Sequence, residues 1–347
     1  MSRNATQSKT NTKTLVLLDA HAILHRAYHA LPDFSSPAGE PTGALYGVVA
    51  MLLKIIEELK PNYVVACYDL PEPTYRHEAY DGYKATREKT DEDLTQQIDR
   101  SRDILAAFGI PIYEQAGFEA DDMLGTIVEQ QKERDDLEII IASGDMDTLQ
   151  LIEKQRVRVY TLKKGIKDTI IYNEQAVKDR FGFPPTLMAD YKGLRGDPSD
   201  NIPGIPGIGE KTATTLITEF GSLEHIYRTL QKNEAAFTQK GIKPRIINLL
   251  TEYAEEAEFS KMLATIRRDA PIAFTLPKKE WRDAADTEAI LNLFTELGFR
   301  TLAARIKHVF DLAEEAEESV AETPTALPTE IQKASIMLWL LESDRTN

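Results

Sequence analysis

The chain of 347 residues has few of the features that mark secreted or membrane proteins. Its one cysteine, Cys67, excludes an intrachain disulfide and is typical of a reducing cytoplasm. No apolar run approaches the ~20 residues that span a bilayer. The N-terminal MSRNATQSKTNTKT lacks the hydrophobic segment of a secretory signal, so we interpret residues 1–13 as a disordered arm. We expect a cytoplasmic protein without a membrane partner.

The sequence also lacks a Ser/His/Asp or Cys/His arrangement that would supply a protein nucleophile. Three of its six histidines fall in HAILHRAYH, and we interpret them as helix or surface residues. Covalent catalysis by a side chain is therefore disfavoured.

The net charge of −15 is unevenly distributed. Residues 311–347 hold nine acidic and two basic residues, a charge of −7, which leaves −8 for residues 1–310. Basic patches within residues 1–310 are therefore not outweighed by negative charge. An acidic chain of this kind does not exclude a nucleic-acid partner.

Apolar segments alternate with amphipathic ones in the first half of the chain. Runs such as LEIIIA are hydrophobic throughout, which is typical of parallel strands covered on both faces. The predicted strands are residues 14–20, 63–69, 137–142 and 156–162, and the predicted helices are 41–60 and 119–133. We therefore predict an α/β domain over residues 14–173, with a mostly parallel sheet covered by helices.

Strand signals stop near residue 174, and short amphipathic helices follow. We predict a helical subdomain over residues 174–305. Residues 306–330 are acidic and rich in Pro, Thr and Ala, which is typical of a linker. Residues 331–347 turn hydrophobic again, and we interpret them as the start of a helix. A standalone chain, one part of a split gene and a chain with a truncated following domain all stay open.

Acidic residues in five separate segments are the most informative feature. They are Asp19, Asp69, Glu119, Asp121, Asp122, Asp145, Asp147, Asp197 and Asp200. Several lie at the carboxyl ends of predicted strands, where parallel sheets bind ligands. Gathered there, they would repel and raise each other's pKa unless cations neutralised them. Oxygen ligands select Mg²⁺ or Mn²⁺, and two such ions about 4 Å apart catalyse attack of water on phosphorus.

Each acidic group also has a local explanation. Asp121, Asp122 and Asp147 precede apolar helical patterns and suit helix caps. Asp197 and Asp200 lie in a Gly/Pro/Ser turn, where Asp stabilises the backbone. For Asp121, Asp122 or Asp147 taken alone, the capping role is at least as favoured as metal binding.

The segment GIPGIGEKTA (204–213) resembles a P-loop, but Glu210 separates Gly209 from Lys211 and spoils the spacing. We predict instead a helix–hairpin–helix over residues 201–220, which would make the helical subdomain a DNA-binding one. Its backbone N–H groups can grip a phosphate without recognising bases. The predicted DNA-binding residues are Gly204, Ile205, Gly207, Ile208, Gly209, Lys211 and Thr212. The alternative is a mere Gly-rich turn between helices.

A basic and aromatic segment, TYRHEAYDGYKATREK (74–89), follows Asp69. If it is helical, one face carries Arg76, Tyr80, Tyr83, Lys84 and Arg87. Such a face suits backbone phosphates and unstacked bases. A solvated surface helix with its tyrosines packed inward fits the spacing equally well.

These motifs together resemble the 5′ nuclease family, in particular the 5′→3′ exonuclease domain of bacterial DNA polymerase I. The resemblance covers about residues 14–305, with LLDAHAILHRAYHAL, PTGALYG, TYRHEAYDGYKATR, GFEADDMLGT, SGDMDTLQL and GDPSDNIPGIPGIGEKTA in the family's order. It implies that all nine acids belong to a two-ion Mg²⁺ or Mn²⁺ site. It further implies a helical arch near residues 72–100, and a hairpin that also holds K⁺. The arch residues that it makes candidates for catalysis are Arg76, Tyr83, Lys84 and Arg87.

The resemblance implies a structure-specific 5′→3′ exonuclease and flap endonuclease of DNA replication and repair. Its expected partners are 5′-flapped or branched DNA, RNA-primer hybrids and a polymerase domain in cis or in trans, with nucleoid association. Two alternatives stay open. One is a branched-DNA-binding module without catalysis, and the other is a single-strand ribonuclease.

Overall fold

The computed structural model describes residues 12–87, 89–164 and 168–312. Its centre is one six-stranded sheet. The strands are β1 (Lys13–Asp19), β2 (Tyr63–Cys67), β3 (Ile112–Tyr113), β4 (Leu137–Ala142), β5 (Val157–Lys164) and β6 (Asp168–Tyr172). Their order is β3-β2-β1-β4-β5-β6, and every neighbouring pair is parallel except β5 with β6. The prediction of a mostly parallel α/β sheet is confirmed.

The four predicted strands correspond to β1, β2, β4 and β5. The sequence reasoning missed β3, which has two residues, and β6, a short antiparallel strand at the sheet edge.

Five helices fall among the strands in sequence. They are α1 (Ala20–Ala30), α2 (Gly43–Leu59), α3 (Tyr75–Ala79), α4 (Glu92–Ala107) and α5 (Ala120–Gln130). Seven more follow, namely α6 (Glu174–Phe181), α7 (Met188–Arg195), α8 (Glu210–Phe220), α9 (Leu223–Lys232), α10 (Ala235–Gln239), α11 (Pro244–Glu252) and α12 (Ala254–Ala264). The last are α13 (Trp281–Ala284), α14 (Thr287–Leu297) and α15 (Arg300–Val309). Short 3-10 helices span Met146–Leu151 and Pro185–Leu187.

Strand β1 shows why these strands are apolar throughout. Leu15 and Leu17 pack into a core shared with α5 and the helices α7 to α11. Val16 and Leu18 point to the opposite face and pack with α1, α2 and α4. Because both faces of the sheet are covered, alternate residues are buried in two different cores.

The last two helices return to the sheet domain. Helices α14 and α15 contact α4 and α2, and their apolar side chains belong to the core on that face. They therefore pack on the sheet domain, although the predicted subdomain ran to residue 305. Helix α15 continues to Val309, into the start of the predicted linker. The predictions for residues 1–11 and 313–347 fall outside the described residues.

Candidate active site

The carboxyl end of β1 carries a buried acid. Asp19 caps α1 by accepting a hydrogen bond from the Ala22 N–H at 3.0 Å, and it accepts another from the Ser143 hydroxyl at 2.6 Å. It is 3% exposed. Burial raises the pKa of Asp19 to about 7 despite these bonds, and the charges of Asp69 and Asp145 add to the rise. At neutral pH this carboxylate therefore favours a proton or a cation beside it.

The end of β2 and the start of α5 meet at the same edge. Asp69 lies just after β2 and accepts a hydrogen bond from the Ala120 N–H at 2.6 Å. Asp121 lies in the first turn of α5, and burial raises its pKa well above the ordinary value. The charges that add to this rise are those of Asp145, Asp19, Asp147 and Asp69. The carboxylates of four segments are thus close enough to repel one another.

The loop after β4 supplies two more acids. Asp145 caps the 3-10 helix that follows, accepting the Asp147 N–H at 2.8 Å. Burial raises the pKa of Asp147 to about 7, although Lys192 acts to lower it. The Lys192 ammonium donates to Asp147 and to Asp197, which lies just beyond α7.

Lys192 was missed by the sequence reasoning. It lies in MADYKGLR, where it looks like an ordinary helical lysine, and only the fold brings it between two acids. It is 8% exposed.

The remaining two acids of this edge hold the basic segment. Lys84 Nζ donates to Glu119 at 2.7 Å, and an Arg87 N–H donates to Asp200 at 2.5 Å. The Tyr83 hydroxyl lies 3.1 Å from Glu119 and 3.3 Å from Asp200. Burial acts to raise the pKa of Glu119, but the neighbouring cations, Lys84 first, outweigh it and lower that pKa. Two predicted catalytic cations are therefore paired with two predicted metal ligands.

The continuous helix considered for residues 74–89 is not formed. Helix α3 ends at Ala79, and turns follow, with Lys84 at a positive φ of 53°. Tyr80 packs against Phe259, whereas Tyr83 is 3% exposed among the acids, so the five residues do not share one face. Lys84 and Arg87 hold the segment on the acidic edge, because each of them pairs with a carboxylate there. Helices α3 and α4 flank these turns, and the predicted arch over residues 72–100 stays a prediction.

Arg76 and Asp122 form a buried pair behind this edge. They are 2% and 0% exposed. The guanidinium donates to both Asp122 oxygens at 2.9 Å and to the carbonyls of Leu263 and Thr265 at 2.9 Å. Asp122 also accepts hydrogen bonds from two backbone N–H groups. Arg76 therefore joins structural elements and occupies the oxygens of Asp122. The roles predicted for the two residues, in catalysis and in metal binding, stay predictions.

The donor set fits divalent cations chemically. Carboxylate oxygens are hard ligands, and buried acids whose pKa values are raised by mutual repulsion are relieved by positive charge. As the side chains stand, no group of three or more His, Cys, Asp or Glu among the described residues is arranged to hold a metal ion. Lys84, Arg87 and Lys192 instead occupy carboxylate oxygens as internal counter-ions.

The glycine segment forms a hairpin between α7 and α8. Ile205 and Ile208 are buried in the core and anchor it, so their side chains are not available to DNA. Gly204 has φ +60°, and a Cβ there would meet the Gly196 nitrogen at 2.1 Å, so only glycine fits. A helix rather than a strand precedes the hairpin, which excludes a P-loop.

The outer part of the hairpin is open. Gly207, Gly209 and Lys211 are exposed, and Thr212 is half-buried in the first turn of α8. No atom of the described residues lies within 4 Å of a Cβ built on Gly209. The N–H groups at the start of α8 are therefore accessible to an anion.

Two family models match the chain. Residues 14–182 match the 5′-3′ exonuclease N-terminal resolvase-like domain, and residues 183–287 match the 5′-3′ exonuclease C-terminal SAM fold. Among curated proteins, DNA polymerase I of Bacillus caldotenax is 37% identical over 331 residues, which is 92% of this chain and 36% of the relative. DNA polymerase I of Caldicellulosiruptor bescii is 38% identical over 325 residues, again 92% and 36%. The chain spans about a third of the length of these relatives.

Solved structures share the fold. The T5 D15 protein co-crystallised with metal ions aligns with a TM-score of 0.59 at 19% identity, covering 87% of this chain and 100% of that one. The catalytic core of Rad2 in complex with DNA substrate aligns with a TM-score of 0.52 at 17% identity, covering 86% and 93%. In the part of the chain that the structure describes, no helix is long and apolar enough to cross a membrane. From the two matched models, which run without a gap from residue 14 to residue 287, it follows that the chain belongs to the 5′-3′ exonuclease family of nucleases.

Proposed function

We propose that this chain is a Mg²⁺-dependent, structure-specific 5′→3′ exonuclease and flap endonuclease. It would hydrolyse phosphodiesters of DNA and of RNA primers, with Mn²⁺ able to replace Mg²⁺. The observation that supports this most strongly is a repulsion between carboxylates at one edge of the sheet. The carboxylates are those of Asp19, Asp121, Asp145 and Asp147. Buried carboxylates that repel one another destabilise a fold unless cations neutralise their charge.

The proposed ligands for two ions are eight of the nine predicted acids. They are Asp19, Asp69, Glu119, Asp121, Asp145, Asp147, Asp197 and Asp200. Asp122 is left out, because Arg76 and backbone N–H groups already occupy its oxygens. Ions in such sites lower the pKa of bound water and stabilise the charge that develops on a reacting phosphate.

The protein groups have separate tasks in this proposal. The backbone N–H of Lys84 donates to the Asp200 carbonyl at 2.9 Å and fixes the position of the chain. The Lys84 ammonium and the Arg87 guanidinium meet the carboxylates of Glu119 and Asp200 through side-chain bonds only, so they can turn to a substrate phosphate. There they would offset negative charge as the bond to phosphorus forms. Tyr83 is fixed by its burial and holds the backbone that carries Lys84.

The hairpin would bind duplex DNA away from the acids. Exposed N–H groups near Gly209, with Lys211 beside them, would grip a backbone phosphate. Backbone contacts carry no sequence information, so we expect preference for a DNA structure and not for a base sequence. A K⁺ ion held by hairpin carbonyls belongs to the same proposal.

The biological role is proposed from the relatives. Both relatives named above are DNA polymerase I, and this chain spans 36% of their length. We propose that the chain removes primers and flaps in replication and repair, with a polymerase domain in cis or in trans.

The deciding experiment incubates the protein with a 5′-flapped duplex in Mg²⁺, and then in chelator. The double variant Asp145→Ala/Asp147→Ala should lose at least about 100-fold in cleavage rate while flap affinity is kept. Asp286→Ala is the control, since Asp286 also caps a helix but lies on α14, away from the acids. Cleavage that persists in the double variant or in chelator would exclude the proposed mechanism. Binding without cleavage by the wild type would favour a silent DNA-binding module, and preference for plain RNA strands would favour a ribonuclease.

A further inference from the structure

The first helix carries a histidine pair that the proposed nuclease function does not use. His21 and His25 are one helical turn apart on α1, and their Nε2 atoms are 3.0 Å apart. Their rings lie 4.7 Å apart between centroids. Both side chains are partly exposed, so a solute can reach them.

From this geometry we propose that His21 and His25 form a binding site for an imidazole-preferring divalent transition ion such as Ni²⁺, Cu²⁺ or Zn²⁺. Metal–imidazole bonds are about 2.0–2.1 Å long, so two nitrogens 3.0 Å apart subtend an angle of roughly 91–97° at one bound ion. That angle suits the tetragonal geometry of Ni²⁺ and Cu²⁺. Mg²⁺ prefers oxygen ligands and does not compete for such a pair.

The protonation of the pair favours ligation. Nδ1 of His21 is buried and has no hydrogen-bond partner among the described residues. With its proton on Nδ1, the His21 ring accepts the hydrogen bond at Nε2 from the Nε2–H of His25. An ion bound between the two Nε2 atoms takes the place of that proton, which moves to Nδ1 of His25 or to solvent. Burial, with smaller effects of nearby charges, lowers the pKa of His25 to about 4, so its ring is neutral at neutral pH.

The surroundings supply one acid. Oδ2 of Asp69 lies 3.9 Å from Nε2 of His21, near enough to reach an ion on the pair after a small rotation. The cations whose charges act on His21 are Lys84, Arg87 and Arg102, and each holds a carboxylate of its own. Their repulsion of a bound ion is thereby reduced. His29 is the third histidine of the row, but its ring centroid is 6.3 Å from that of His25 and its side chain is exposed.

An ion on this pair would also affect cleavage. This part of the inference rests on the proposed function, in which Asp69 is a ligand of the Mg²⁺ site. An ion that draws Asp69 towards His21 removes a ligand from that site. We therefore expect transition ions to inhibit cleavage through the histidine pair.

Calorimetry on the full chain tests the binding. The protein is freed of metals, saturated with Mg²⁺ to fill the carboxylates, and titrated with nickel chloride. His21→Ala and His25→Ala should each weaken nickel binding by at least the roughly 10–100-fold that loss of an outer-shell partner costs. His29→Ala, a matched change on the same helix, should leave the isotherm unchanged. Equal isotherms for wild type, His21→Ala and His25→Ala would overturn the site.

Two further measurements distinguish loss of the histidine site from misfolding of a variant and from a failure of the proposed function. Nickel should raise the melting temperature of the wild type and of His29→Ala but not of His25→Ala, and circular dichroism checks that each variant folds. Nickel should inhibit cleavage of a flap by the wild type at concentrations that spare His25→Ala, and equal inhibition would overturn the inhibitory role alone. If the wild type does not cleave in Mg²⁺, the proposed function fails, while calorimetry still decides the histidine site.

Discussion

The ammonium of Lys192 donates a hydrogen bond to the carboxylate of Asp147, joining α7 to the 3-10 helix that follows β4. The same ammonium reaches Asp197. Burial acts to lower the pKa of Lys192, but Asp147 and Asp197 raise it above its ordinary value. Lys192 therefore carries part of the positive charge that the acidic edge needs, in a place where a divalent ion would carry more.

Removing this lysine should make the fold depend on divalent ions. Lys192→Met leaves two carboxylates unpaired, and breaking a buried pair on one side costs about 3–5 kcal/mol. We expect the free energy of unfolding in chelator to fall by an amount in this range and to recover largely in Mg²⁺. Urea denaturation in the two conditions measures both values.

Lys261 provides the control, because its ammonium also bridges two acids, Asp190 and Glu224, at 2.6 Å each. They lie outside the proposed ligand set, so the loss in Lys261→Met should not recover in Mg²⁺. Equal recovery in both variants would mean that Mg²⁺ stabilises the protein without using the site of Lys192.

The raised pKa values predict how stability changes with pH. Asp19 and Asp147 have pKa values of about 7 in the folded chain and 3.8 as the ordinary value, so the folded state holds their protons more tightly. Stability in chelator should therefore be highest below about pH 4 for these groups and fall as pH rises to about 7. In Mg²⁺ the fall should be smaller, because the ion favours the ionised form.

Urea denaturation between pH 5 and pH 8 measures this change. Asp121→Asn removes one of the repelling charges and should flatten the fall in chelator. A stability that rises with pH in chelator, or a fall unaffected by Mg²⁺, would contradict the account of mutually repelling acids.

The hydrophobic pattern was enough to predict the sheet and the acids at its edge. A fully apolar strand that ends in Asp19 can only be covered on both faces, and parallel strands share one carboxyl edge. The pattern could not predict the burial of Arg76, because its partners Leu263 and Thr265 are almost 190 residues away. It also could not place Lys192, since helical spacing does not reveal which acids a lysine will meet. Short elements such as β3 have too few residues to show a period.

Arg76 and Lys84 lie close in sequence but have different roles, so they should respond differently to substitution. Arg76→Met leaves Asp122 buried and unpaired, so we expect a loss of about 3–5 kcal/mol in stability. Lys84→Met removes one partner of Glu119, which keeps Arg76 at 3.2 Å and the Tyr83 hydroxyl at 3.1 Å. Stability should therefore change little, while the cleavage rate falls at least about 100-fold. Denaturation and single-turnover cleavage of a flap measure the two effects.

The affinity of the Lys84→Met variant for flapped DNA distinguishes a role of Lys84 in catalysis from a role in binding. Lys84→Met should keep most of its affinity for flapped duplex, because the hairpin supplies the main grip. A parallel loss of affinity and rate would mean that Lys84 is a general phosphate contact. A stable Arg76→Met variant would contradict the structural role given to the buried pair.

The hairpin should bind duplex DNA through the charge of Lys211 and through the open space beside Gly209. Lys211→Ala should weaken duplex binding and lower the slope of log affinity against log salt by about 1, as expected for one lost phosphate contact. Gly209→Ala should weaken binding with only a small loss of stability, since Gly209 is the N-cap of α8, where alanine is less favourable than glycine. Its φ of −92° suits alanine, and the added methyl meets no atom of the described chain beyond its neighbours in sequence. That methyl would stand where a phosphate must approach the N–H groups of α8. Lys132→Ala, an exposed lysine paired with Glu129 on the sheet domain, is the control and should leave both affinity and salt slope unchanged. An unaltered slope in Lys211→Ala would place the duplex elsewhere on the surface.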